Sequence, residues 1–96
     1  MNTYDFGITG SHAGFCNQQA TATAATEEEA VVKMLKTQAV AFWEDGYGWC
    51  DRAVEVLSVQ PVRQDGKDYY SVVFQPTKHR QTSTLVRRYG VLPPRI

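Results

Sequence analysis

His12, Cys16, Cys50 and His79 are the residues whose types could hold a zinc ion or form a thiolate–imidazole nucleophile. Strong zinc sites pair their ligands at knuckle spacing such as C-x2-C or H-x3-H, and only His12 and Cys16 are near neighbours here. A nucleophilic cysteine needs an electropositive setting and an orienting third group, and no motif supplies them. The expectation is two ordinary thiols rather than a Cys16–Cys50 disulfide, surface imidazoles, no metal and no cofactor. Glu27, Glu28 and Glu29 are adjacent carboxylates, but successive helical side chains diverge by about 100° and do not converge on one ion. Gly7, Gly10 and Gly14 match no phosphate-binding fingerprint and read as turn glycines. No enzyme is expected from these residues.

Binding chemistry has better candidates. Phe42, Trp43, Tyr47 and Trp49 crowd one stretch beside Glu44, Asp45 and Asp51. Trp and Tyr dominate interface hot spots, so Trp43, Glu44 and Asp45 are candidate partner contacts; a lid on the core is the alternative. Ten basic residues offset ten acidic ones, yet the two signs are unevenly placed. Residues 1–68 hold all ten acids and five of the bases, while residues 69–96 hold no acid and Lys78, Arg80, Arg87, Arg88 and Arg95. Lys78, Arg80, Arg87, Arg88 and the neighbouring Tyr89 therefore form a second candidate surface, suited to phosphates or an acidic protein. The competing reading is that these bases neutralise the acidic part within one fold.

The elements that would position these residues follow from pattern. Ninety-six residues supply material for one core, so residues 1–96 are expected to form a single domain, frayed after Pro93. Tyr4, Phe6 and Ile8 alternate with smaller or polar residues, as in a half-buried strand. A Thr/Ala-rich strand within Phe15–Thr26 would return antiparallel to it. Thr26-Glu27-Glu28-Glu29 then reads as a capping box opening a helix. Apolar residues at Val31 or Val32, Leu35, Ala39 and Phe42 extend it to Gly46, about 19 residues or roughly 28 Å. Phe42 would point inward, with Val40 and Trp43 leaning toward the polar side.

Arg52 to Val62 reads as a strand whose alternation slips between Val56 and Leu57, predicting a bulge or burial on both faces. Pro61 marks it as an edge or a strand end. Asp65-Gly66 predicts a tight hairpin turn into a strand carrying Tyr70, Val72 and Phe74, and Thr82 to Val91 offers a last strand. The expected architecture is α+β: an antiparallel sheet of four to five strands with one long helix on one face, in ββαββ order plus the C-terminal strand. No stretch is apolar enough to span a bilayer, and no signal-like run follows Met1, so the expected address is cytoplasmic.

The capped segment Thr26-Glu27-Glu28-Glu29-Ala30, leading from a Thr/Ala-rich strand into one helix and on to the Asp65-Gly66 hairpin, resembles small phage and mobile-element proteins. Among these the layout of residues 4–75 is similar to certain anti-CRISPR proteins. The resemblance implies a non-enzymatic inhibitor that binds a CRISPR-Cas effector complex and blocks DNA binding or cleavage, with no site residue carried over. Near-neutral charge and a basic tail depart from family members that imitate DNA. The alternative is a nucleic-acid-binding accessory protein using the basic C-terminal segment. Homodimerisation, through an edge strand or through Val40 and Trp43, is compatible with either.

Overall fold

The computed structural model describes residues 1–8, 19–44 and 47–93, with the side chains of residues 43 and 44 outside that description. The elements are β1 (Asn2–Ile8), β2 (Gln19–Ala24), α1 (Glu27–Thr37), β3 (Val40–Glu44), β4 (Tyr47–Asp51), β5 (Ala53–Gln64), β6 (Lys67–Pro76) and β7 (Thr82–Val91). Five strands form one antiparallel sheet in the order β2-β1-β7-β6-β5, and β3 pairs with β4 in a separate two-stranded sheet. The α+β class holds, but the layout is not ββαββ. A hairpin stands where the long helix was expected to continue, and the last strand is central.

The helix begins as its cap predicts. Thr26 is extended, and its hydroxyl accepts from the Glu29 amide at 3.2 Å. Ala30, Val31, Met34 and Leu35 form its buried stripe. It stops after Thr37, eleven residues in, where Gln38 turns extended and its amide closes on the Met34 carbonyl at 2.9 Å. Beyond it, residues 40–44 pair antiparallel with β4 as a strand, and Val40, Ala41 and Phe42 are all buried. Phe42 does point inward, reaching Phe74 with ring centroids 4.8 Å apart. Val40, expected on a polar helix face, is fully buried.

The Asp65-Gly66 turn carries the two positive φ angles, 53° and 75°, that its residue types allow. The slip in β5 is a register shift between Val56 and Ser58, with a second between Ala53 and Glu55. Both lie on an edge strand, and these bulges and Pro61 make β5 a poor template for another strand. The opposite edge is covered differently: Lys33 on α1 and Gln38 at its C-cap donate to the Thr23 and Thr21 carbonyls of β2 at 3.1 and 2.6 Å.

One core lies between the sheet and α1. Tyr4, Phe6 and Ile8 of β1, Tyr70, Val72 and Phe74 of β6 and Val86 of β7 meet Val31, Met34 and Leu35 of the helix there. At the helix N-terminus, Glu27 Oε1 accepts from Arg88 Nε at 2.8 Å and from the Tyr70 hydroxyl at 3.1 Å, and the Arg88 guanidinium also lies over the Tyr70 ring. Burial and the neighbouring Glu27 carboxylate push the Tyr70 hydroxyl up to about 12 from its ordinary 10.0. Burial acts to lower the Arg88 value, but the Glu27 hydrogen bond and charge outweigh it and the net shift is upward.

Arg88→Ala leaves Glu27 half-sequestered without its cation and is expected to cost about 2 kcal/mol in urea unfolding. Arg87→Ala, one residue away on the other face, is expected to cost about 0.5 kcal/mol or less. A raised Tyr70 value means that the unfolded chain ionises first, so its contribution is intact below pH 10 and disappears as pH rises through about 12. The alkaline fall in the urea midpoint should therefore be shallower in Tyr70→Phe than in the wild type.

Candidate functional site

The candidate residues are distributed by strand alternation, since successive side chains of β7 leave opposite faces of the sheet. Arg88 faces the helix and is bound to Glu27, its side chain only 29% exposed. For this residue neutralisation within the fold, the competing reading of the basic segment, describes the contact. Arg87 faces the other way. It pairs across to Tyr69 of β6 and Gly7 of β1, and no described element packs over it.

Tyr89 completes this outer surface. It is the extra residue where β7 shifts register against β1, between Arg88, opposite Phe6, and Gly90, opposite Asp5. Gly90 takes the positive φ of 93° that the irregularity requires. The Tyr89 ring then lies across Gly7, so closely that a Cβ at Gly7 would be 2.9 Å from it. Gly7 is therefore no turn glycine; it is the strand position whose missing side chain seats the ring. The Arg87 guanidinium carbon is 5.1 Å from the Tyr89 centroid and 5.9 Å from that of Tyr69, a cation flanked by two rings. Tyr89 remains 53% exposed. Leu85, Ser71 and Val73 continue the same face, half-buried and half-open to solvent.

Beside this trio, Asp5 is buried on the outer side of β1, where Gln19 donates to its Oδ2 at 2.7 Å and Oδ1 has no hydrogen-bond partner. Thr3 and Thr23 share a 2.7 Å hydroxyl contact further along.

Lys78 and Arg80 lie on the exposed turn between β6 and β7, away from Arg87. That turn docks on β4. Asp51 Oδ2 accepts from the Lys78 amide at 3.0 Å and lies 3.8 Å from His79 Nδ1, while the His79 ring stacks on Trp49 at 4.3 Å. Partial burial acts to raise the Asp51 value, but hydrogen bonds from the Arg52 and Lys78 amides and Thr77, with His79 nearby, bring it below the ordinary carboxylate range. His79, expected as a surface imidazole, is thus exposed but engaged. Trp43 and Glu44 fall in β3, Asp45 lies outside the described residues, and Tyr47 is exposed on β4. Among the described residues the hairpin's ring contacts outside itself are with Phe74 and His79, not with Arg87.

Cys50 is disulfide-bonded, which corrects the expectation of ordinary thiols. The sequence has one other cysteine, Cys16, and it lies with His12 outside the described residues. Disulfides persist in oxidising surroundings, so this bond weighs against the reducing cytoplasm that the sequence suggested. No helix among the described residues is long and apolar enough to cross a membrane.

Two open hollows flank the fold. One, about 490 Å³, lies between α1 and β5 and is lined by Glu28, Glu29, Val32, Lys33 and Val59. The other, about 480 Å³, lies at the end of the sheet beside Met1, Thr3, Thr21, Val91 and Leu92. Neither lining contains a nucleophile with a base to activate it. Among the described residues no group of three or more His, Cys, Asp or Glu is placed to hold a metal ion.

Sequence reasoning named Arg87 and Tyr89 but missed Tyr69 and Gly7. Their signal was available only through register, because the pairing of Tyr69 with Arg87 spans the β6–β7 hairpin and that of Gly7 joins the two ends of the chain. Comparison with protein-family models, curated proteins and solved structures gives no match.

Asp51→Ala should release the turn at residues 77–81: amide exchange at Lys78 is expected to speed by at least tenfold, with a stability loss of about 1 kcal/mol. Because the folded Asp51 value is depressed, its contribution is present above pH 3.8 and fades as pH falls further. The wild type and the variant should converge in stability under acid.

Proposed function

We propose that the protein is a non-enzymatic binding protein that works through the open face of its five-stranded sheet. The observation carrying this reading is Arg87 held between Tyr69 and Tyr89 on a face that no described element covers. Arginine and tyrosine are the residues that most often dominate binding energy, and here the rings hold the guanidinium without a carboxylate partner among the described residues. The capped Thr26–Ala30 segment and the Asp65-Gly66 hairpin, the parts of the anti-CRISPR resemblance that the fold retains, support the partner class: a bacterial CRISPR-Cas effector, a ribonucleoprotein, occluded so that its DNA binding or cleavage is blocked by a contact that does not need the Cys50 disulfide. Arg87, Tyr69 and Tyr89 form the centre of that contact, with Lys78 and Arg80 too far along the fold to belong to it. Arg88 acts indirectly, by holding the helix to the opposite side.

Affinity capture from a bacterial lysate carrying a CRISPR-Cas system tests this, run with and without a reductant because Cys50 is disulfide-bonded. Effector subunits should be recovered by the wild type and lost with Arg87→Glu, whose urea midpoint should stay near that of the wild type. A folded wild type that recovers no effector subunit under either condition rejects the CRISPR assignment. Retention of the effector by Arg87→Glu rejects this face.

A further inference from the structure

The outer face carries a more specific chemistry than generic adhesion. Arg87 presents one delocalised cation, and the tyrosines on either side of it present flat rings on adjacent strands and along the same strand. A guanidinium recognises phosphate oxygens through its N–H edges, which a ring against its plane leaves available. Aromatic rings on a sheet stack with bases only when those bases are unpaired, because a duplex hides their faces within its own stack. Among the described residues the surface around Arg87 is the face of a sheet, with no helix or two-stranded ribbon standing on it to enter a groove.

We propose that the Tyr69–Arg87–Tyr89 trio binds single-stranded nucleic acid, with Arg87 on a phosphate and the tyrosine rings stacking on flanking bases. This rests on the open sheet face being the binding surface, and it names the unpaired strand of the ribonucleoprotein as what that surface meets. Gly7 is the positioning residue. Its hydrogen leaves room for the Tyr89 ring, which a methyl group would displace, so the ring is in place before a base arrives. The trio offers one phosphate contact, so binding is weak and only modestly salt-dependent, with a slope of about −0.7 for that contact.

The test is fluorescence anisotropy with labelled mixed-sequence 12-mers, as single-stranded RNA, single-stranded DNA and the corresponding duplex, at low salt. Either or both single strands should bind and the duplex should bind at least tenfold less tightly. Tyr69→Ala and Tyr89→Ala should each weaken binding by about five- to hundredfold. Arg87→Ala should remove about 0.7 from the salt slope. Gly7→Ala should weaken binding in the wild type and have no further effect in a Tyr89→Ala background, a result that mere destabilisation of β1 would not give.

Failure of both single strands to bind, equal binding of the duplex, or an unchanged affinity in Arg87→Ala overturns the proposal. If no strand binds while Arg87→Glu still abolishes effector capture, the face recognises protein instead: this inference fails and the proposed function stands.

Discussion

The alternation of side chains along β7 is the constraint on which the molecule turns. As the middle strand of five, β7 sends Arg88 toward the helix and Arg87 away from it, and no rotation brings both to one surface. Arg88 meets Glu27 in the first turn of α1, where a carboxylate already suits the helix dipole, and Tyr70 donates to the same oxygen. This half-buried, charge-assisted contact joins strands β6 and β7 to the start of the helix, so the helix has one place to lie. Covering one face of the sheet in this way leaves Arg87 on the other. The two arginines are thus adjacent in sequence yet placed on opposite faces of the sheet.

Local chemistry made much of this legible. Thr26 caps a helix because its hydroxyl can take an orphan amide, Asp65-Gly66 turns because both residues tolerate positive φ, and the slip at Val56-Leu57, readable as a bulge or as burial on both faces, is a bulge in the fold. The bounds of β7 also follow from its residues. The end of the helix does not. Leu35, Ala39 and Phe42 satisfy a helical period, while Val40 and Phe42 satisfy a strand period, and no glycine or proline separates the two at Gln38. What decides is tertiary: as a strand, the segment buries Val40 and Phe42 together, Phe42 against Phe74, and pairs with β4. The trio on the open face was hidden for a related reason, because register between distant strands is a property of the assembled sheet.

The β3–β4 hairpin follows from that decision. It pairs with no strand of the main sheet and is fixed by particular contacts: Val40 and Phe42 enter the core, Phe42 tilts against Trp49 and Phe74, Trp49 stacks on His79, Asp51 holds the turn between β6 and β7, and Cys50 is disulfide-bonded. A two-stranded hairpin is marginal in water by itself, which accounts for this density of fixings. The five-stranded sheet and the helix share one core with this hairpin, since Val40 and Phe42 of β3 lie in the same buried cluster as the side chains of β1, β6, β7 and α1.

The zero net charge can now be divided by location rather than by sequence. Glu27 and Arg88 neutralise each other inside, Asp51 is taken up by the amides of the turn it anchors, and Arg63 and Asp68 face each other across the exposed β5–β6 hairpin. Glu28 and Glu29 remain exposed on the helix, while Arg87 stands on the far side of the sheet. An acidic surface imitating nucleic acid and a basic surface contacting it would thus lie on opposite sides of one small domain. They cannot be parts of a single interface. Glu28 and Glu29 are accounted for by helix capping and dipole chemistry, whereas Arg87 is held between two rings, one of them seated on a glycine.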